Sequence, residues 1–271
     1  MKRDSGLVRL PFRYLAALLA LPGIVGMGRP VAAHGQFSVS PVILPIPHST
    51  EVTEATVMVR NNGESPLQLR IFSADFDQDA DGSHSTSAAG THARSCSGRL
   101  EIVPDGLSIP AGVTQPVMFR LRPGGDRDST CWSLVFIEKP PPEGTGPRAA
   151  LRIGVKVYGL SADGGESAEI SAASVVDGDS TSETGGRELQ FTISNPDAWP
   201  VLARGTVEIR DLEGLPYGTV AVEAFSVLPE HARTVRVPLE AVLAPGRYLA
   251  IPVLEYGDDG LMGAQVAFRV E

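Results

Sequence analysis

The chain has 271 residues, with 32 acidic against 23 basic side chains and a formal charge of −9. An acidic balance of this kind argues against nucleic acid or an anionic membrane as a main partner. The length admits two domains of ordinary size, and plentiful Val, Gly and Pro without long helical periods point to β-structure.

Residues 1–33 read as a cleaved export signal. Lys2, Arg3, Arg9 and Arg13 form a positive start, Tyr14 to Val25 is apolar, and Val31-Ala32-Ala33 offers a small-residue cleavage site before His34. The alternative is an N-terminal membrane anchor, but the apolar run is short for a span. Cleavage near Ala33 removes five basic residues and one acidic residue, leaving a charge of −13. The expectation is a periplasmic or secreted protein with no membrane insertion after signal cleavage.

Gln36 to Leu44 alternates as a strand, with a change of phase at Pro41 that predicts a bulge or a switch of sheet. Ala55, Val57 and Val59 alternate on a second strand, which ends at the turn Asn61-Asn62-Gly63-Glu64-Ser65-Pro66. Leu67, Leu69 and Ile71 alternate on a third, which runs to Ala74. Asp75 to Arg94 is polar, builds no core and is expected to be a mobile loop. Inside it, Asp77-x-Asp79-x-Asp81-Gly82 copies the start of an EF-hand loop. Ala88 stands at the twelfth position, where that loop needs a bidentate Glu, so a solvated acidic loop is favoured over a calcium site.

Short strands follow at Arg99 to Val103 and Gln115 to Leu121, separated by the turn at Leu107-Ser-Ile-Pro-Ala-Gly112. Cys131 to Glu138 is apolar on both faces, which predicts a central strand covered on both sides. The Pro-rich stretch Lys139 to Pro147 leads to Leu151, Ile153, Val155 and Val157, a strand of period two. Cys96 and Cys131 are the two cysteines; in an oxidising compartment a disulfide is favoured over two free thiols, adding about 3–4 kcal/mol in the chain-entropy model.

The second half repeats the plan. Leu189 to Asn195 before Pro196 and Pro200 matches Thr56 to Asn61 before Pro66; both read strand, Asn, four residues, Pro, strand. Leu228-Pro229 echoes Ile109-Pro110, Thr234 to Leu239 echoes Gln115 to Leu121, and Arg247 to Leu254 stands where the Cys131 strand stood. Val266, Phe268 and Val270 close the chain as Val155 and Val157 close the first half. Asp177 to Gly186 reads as a loose hairpin tip. Short strands with Gly/Pro turns give the fold class: all-β, with two tandem immunoglobulin-like β-sandwich domains, residues 34–160 and 161–271.

Little suggests catalysis. His34, His48, His84, His92 and His231 have no zinc-ligand spacing, and there is no nucleophile elbow, metalloprotease helix or phosphate-binding Gly loop. A hydrolase stays formally open, because a triad need not show in sequence. The expectation is a non-enzymatic protein without cofactor or metal.

The first half resembles the N-terminal domain of periplasmic pilus-assembly chaperones, the PapD-like immunoglobulin fold. The features that carry it are Phe37-Ser-Val-Ser-Pro41, Val57-Met-Val-Arg-Asn61 with Pro66, Leu107 to Gly112 before Val117-Met-Phe-Arg-Leu121, Trp132 to Glu138, and Ile153-Gly-Val-Lys-Val-Tyr158. The resemblance implies two sandwiches set as an L whose cleft binds pilin subunits. It implies that the last strand of the first domain is lent to the subunit, by β-strand addition. The family's cleft lysine, which holds the subunit's terminal carboxylate, falls on Lys156; the place of its partner arginine falls near Pro45. The donated apolar residues fall near Pro147, Ala149 and Leu151, with Ile153 next in line. An alternative role for Lys156 is an exposed charge that keeps a strand edge from sticking.

The expected function is a periplasmic chaperone, or chaperone-like factor, for subunits of a surface fibre, with Lys156, Leu151, Ile153 and Ala149 as contact residues. The alternative is a non-catalytic structural or adhesive module of the cell envelope with the same fold.

Overall fold

A computed structural model describes residues 36–124, 129–141, 149–177, 186–239, 243–257 and 259–270. The stretch expected to be an export signal, Pro147 and the residues 178–185 expected to form a hairpin tip fall outside the described residues. The first ten strands are β1 (Phe37–Ser40), β2 (Ile43–Ile46), β3 (Thr53–Asn61), β4 (Leu67–Gln78), β5 (His84–Ala88), β6 (Leu100–Val103), β7 (Gly106–Ile109), β8 (Thr114–Leu121), β9 (Cys131–Lys139) and β10 (Leu151–Gly159). One sheet has the order β1-β3-β8-β6; the other runs β2-β10-β9-β4-β5, with β7 also on β4. The change of phase at Pro41 is a switch of sheet: β1 pairs with β3, and β2 pairs with β10 in the opposite layer.

The period of two places the core. Val57, Val59, Val117 and Phe119 of one sheet and Val135, Ile137, Val155 and Val157 of the other are fully buried and belong to one apolar cluster. Each such side chain contributes about 1.5–3 kcal/mol by leaving water. The outer face of β9 is only partly covered. Trp132 and Glu138 are buried, whereas Leu134 and Phe136 are half-buried, so the expected coverage on both sides holds at the two ends of the strand and is partial between them.

The second sandwich uses β11 (Glu169–Asp177), β12 (Arg187–Asn195), β13 (Val201–Asp211), β14 (Pro216–Val227), β15 (His231–Pro238), β16 (Gly246–Tyr256), β17 (Gly260–Gly263) and β18 (Val266–Val270). Its sheets are β11-β12-β15 and β14-β13-β16-β17, with β18 also on β16. β18 pairs with β16 as β10 pairs with β9, and Leu189, Phe191, Ile193, Val207 and Ile209 fill the core. At Gly205 the β13–β14 register slips, and a Cβ there would collide with the Val253 carbonyl of β16.

The polar stretch after Ala74 is not a structureless loop. β4 continues to Gln78 and turns back into β5 as a hairpin, pairing Ala74 with Ala88 through Gln78 with His84. Beyond it, Asp75 collects the chain. Its fully buried carboxylate accepts hydrogen bonds from the Thr91 amide (2.7 Å), the His92 amide (2.8 Å) and the Ser95 and Ser97 hydroxyls. Burial opposes ionisation here, but the bonds from His92, Ser95, Thr91 and Ser97 outweigh it and hold the carboxyl below its ordinary value. Composition tells whether a segment can bury apolar surface. It is blind to a segment ordered around one buried charge.

Candidate partner-binding edge and cleft

β10 is paired unequally on its two sides. β9 covers all of it, from Leu151 opposite Lys139 to Gly159 opposite Cys131. On the other side β2 runs parallel only from Lys156 opposite Ile43 to Gly159 opposite Ile46, with the Lys156 amide donating to the Val42 carbonyl at 2.9 Å. Among the described residues, no strand pairs with the 151–155 stretch on that side. β2 is short, and Pro45 within it has no amide hydrogen, as suits an edge strand.

The side chains of β10 follow from the period of two. On the inner face Val155 and Val157 are buried, Ile153 is half-buried against the core, and Leu151 is 42% exposed. Ala149, just before the strand, is exposed. The predicted apolar contacts therefore run from the surface into the core along one line. Lys156 lies on the opposite face, with Arg152 and Tyr158. Beside Arg152, the buried Glu138 carboxylate accepts bonds from both Arg70 and Arg152, and the Arg70 bond foremost holds it below its ordinary value. Both guanidiniums lie over aromatic rings: Arg70 at 5.2 Å from the Phe72 centroid, Arg152 at 5.6 Å from that of Phe136.

Lys156 is half-buried where the two sandwiches meet. Its Nζ donates to Ser226 Oγ at 3.0 Å and stands 5.8 Å from the Phe76 ring centroid. Burial, then the charge of Arg233, push its ammonium down to about 8. Phe76, Trp132 and Tyr158 of the first sandwich pack with Leu228 of the second, each no more than 1% exposed. Burial pushes the Tyr158 phenol well above its usual value. Gln78 Nε2 donates to the Ser226 carbonyl at 2.8 Å, its Oε1 accepts from the Leu228 amide at 3.2 Å, and the Thr234 amide donates to the Ala80 carbonyl at 2.6 Å.

Ser226 and Arg233 gave no signal in the sequence. Arg233 Nη1 donates to the Ser226 carbonyl at 3.3 Å, and its guanidinium lies 5.1 Å from the Phe225 centroid and packs against the Cα of Gly82. Its burial lowers its affinity for the proton, while Asp81 offsets this. Lys156 and Ser226 are 70 residues apart in sequence, a separation that no local pattern spans.

The cysteines form the disulfide Cys96–Cys131, with both residues buried and the Cα atoms 5.1 Å apart. The acids of the EF-hand-like stretch are engaged with the hairpin's own donors. Asp79 accepts from Ser83 Oγ at 3.2 Å, Asp81 from the Ser83 amide at 2.8 Å, and Asp77 from the Gln78 amide at 2.8 Å. Among the described residues no cluster of three or more His, Cys, Asp or Glu side chains is placed to hold a metal, and no helix is long and apolar enough to cross a membrane.

No family model matches the chain, and no curated protein does. Among solved structures the chain is similar to the YadV chaperone, at 11% identity over 85% or more of each chain (87% of this one, 100% of that one), with a TM-score of 0.46. It is also similar to the Pseudomonas aeruginosa CupB2 chaperone, at 11% identity over 84% of this chain and 98% of that one, TM-score 0.45. A third is a chain of the CsuC–CsuE chaperone–tip subunit pre-assembly complex from archaic chaperone-usher Csu pili of Acinetobacter baumannii, at 13% identity over 85% and 97%, TM-score 0.44. The strand orders and the two apolar cores make the chain an all-β protein of two tandem immunoglobulin-like sandwiches.

Proposed function

We propose that the chain is a periplasmic chaperone, or chaperone-like factor, that binds subunits of a surface fibre by β-strand addition. One observation carries the reading: among the described residues the 151–155 stretch of β10 is unpaired on one side, and Leu151 and Ile153 lead from the surface into the core. A partner lacking a strand gains main-chain bonds from such an edge, and the alternate apolar side chains fill the gap in its core. Ala149, Leu151 and Ile153 supply those side chains. Lys156 supplies a cation at the cleft for a client carboxylate, with Arg233 of the second sandwich as a neighbouring positive charge. Binding of this kind requires no catalysis and no cofactor. The division into a leader (1–33) and domains 34–160 and 161–271 belongs to the same proposal.

The other reading is a structural or adhesive envelope module of the same fold. Capture from a periplasmic extract separates the two. With the wild-type mature chain as bait, the chaperone reading expects a stoichiometric small fibre-forming subunit, lost with Leu151→Asp at unchanged fold. A charge at Leu151 costs little in the free protein, where the side chain is exposed, and several kcal/mol, about, if left unpaired in a partner's core. Equal recovery of the same partner by wild type, Leu151→Asp and Lys156→Ala would sink strand lending and put the module ahead.

A further inference from the structure

We infer that His231 is a proton-dependent latch between the two sandwiches, closed only when both nitrogens of its ring carry hydrogen. His231 opens β15, just after the turn that contains Glu230. Glu230 holds φ at 61°, a left-handed conformation that non-Gly residues rarely adopt. The turn aims the ring across the junction at the end of β4. Nδ1 lies 2.7 Å from the Pro229 carbonyl oxygen, and Nε2 lies 3.0 Å from Oδ1 of Asp77. A carbonyl and a carboxylate only accept, so each contact needs a hydrogen on nitrogen, and a neutral imidazole carries one. The neutral ring leaves one of the two contacts facing lone pair to lone pair.

The charged groups around the ring are few. Asp77, on β4, also lies 3.9 Å from His92 Nε2, in the turn after β5. Glu230, beside His231, is paired with Arg94 at 2.7 Å, and Arg94 lies over Trp132, whose ring meets His231 edge-on at 6.3 Å. Two residues along β15, Arg233 faces Phe225 and the hairpin at Gly82. Lys156, on β10, faces Phe76 and Ser226. Asp77 is thus the acid on the ring, and His92 its competitor. The side chains of His231 and Asp77 are 27% and 47% exposed, so the pair exchanges protons with solvent.

The latch sits among the bonds from Gln78 to Ser226 and Leu228 and from Thr234 to Ala80. It therefore bears on the same junction that holds Ser226 against Lys156. A bond open only to the protonated ring adds stability at low pH and is lost as the ring deprotonates. Histidine side chains change charge between about pH 5 and 8, so this junction is tighter in acid than at neutral pH and above.

The test uses the full mature chain. Thermal unfolding is followed from about pH 5.5 to about pH 8 for wild type, His231→Gln, Asp77→Asn, the double variant and His92→Gln. The expected result is a wild-type melting temperature that falls, relative to His231→Gln, by about 2–4 °C across this range. Asp77→Asn flattens the profile as His231→Gln does, the two are non-additive at the acid end only, and His92→Gln keeps the wild-type profile. Nitrogen-15 spectra of the wild-type ring serve as a second reading that needs no variant, with both nitrogens protonated at about pH 5.5. A His231→Gln profile parallel to wild type, a coupling with Asp77 equal at both ends of the range, or a single neutral tautomer in acid would each overturn the latch.

Discussion

Asn61 and Asn195 occupy the same buried position in the two sandwiches and make the same three hydrogen bonds. Asn61 Nδ2 donates to the carbonyls of Ser65 (2.8 Å) and Ile109 (2.9 Å), while its Oδ1 accepts from the Gly63 amide (2.9 Å). Asn195 Nδ2 donates to the carbonyls of Trp199 (2.7 Å) and Val227 (3.1 Å), while its Oδ1 accepts from the Asp197 amide (3.1 Å). Each side chain is 1% exposed. The first acceptor is four residues on, at the end of the turn; the second ends a strand of the opposite sheet, β7 for Asn61 and β14 for Asn195. The counterpart of Ile109 is Val227, one residue before the Leu228 that the sequence comparison aligned.

Removing either amide strands buried carbonyls. Asn61→Ala and Asn195→Ala are each expected to cost about 2–4 kcal/mol, the result of leaving two acceptors and one donor unpaired. Asn61→Asp loses both donors and sets a charge against two carbonyls, so it costs no less. Denaturant unfolding checks this; losses under about 0.5 kcal/mol, the level of an ordinary surface change, would contradict it.

Asp75 ties the 91–97 segment to the hairpin, so Asp75→Ala is expected to free that segment for proteolytic nicking while leaving the two cores in place. Its pH dependence has a fixed sign. A carboxyl held below its ordinary value adds stability above the unfolded value, and that stability is lost as pH falls through the folded one. Acid unfolding of Asp75→Asn should therefore be less steep than that of wild type. An unchanged slope with no new cleavage sites would show that the carboxylate orders nothing.

The disulfide links the end of that segment to the start of β9. Cys96→Ser and Cys131→Ser are each expected to lower stability by a similar amount, about 3–4 kcal/mol in the chain-entropy model, and the double variant by little more. Two titratable thiols in protein folded in an oxidising compartment would refute the bridge.

Lys156 gives a dependence of opposite kind. Burial and Arg233 push its ammonium down to about 8. The unfolded chain holds this proton up to an ordinary value of about 10.4, so Lys156 works against folding below about 8, and the handicap fades as pH rises. Lys156→Met should raise the melting temperature near neutrality, with a benefit that shrinks towards pH 10, roughly, where the wild-type lysine is neutral in both states. Client capture should weaken between pH 7 and pH 9, about, as the cation is lost, and Lys156→Met should lack that weakening. A flat wild-type capture profile would remove the carboxylate role from Lys156.

Local pattern carried most of the strands, their inward faces and the break of phase at Pro41, because side-chain period and proline chemistry act within a few residues; β7 lies where a turn was expected, and β11, β14 and β17 were not legible. Val57, Val59, Val135 and Val155 are buried where alternation put them. The Asn–Pro spacing marked both buried asparagines as turn residues, since one of their acceptors is four residues away. The hairpin of β4 and β5 was not legible, because its order comes from paired backbone and one buried carboxylate rather than from apolar side chains.

What the amino-acid order determined alone was the sandwich plan and the face of β10 that carries Leu151 and Ile153. Tertiary structure decided which part of that strand's edge is left unpaired, since this depends on where β2 stops beside it. It also decided the surroundings of Lys156, whose hydroxyl partner Ser226 is 70 residues distant, and of His231, whose carboxylate Asp77 is 154 residues distant. A strand's period is a property of consecutive residues. The burial of Lys156 beside Ser226 and the contact of His231 with Asp77 arise only once two sandwiches have closed on one another.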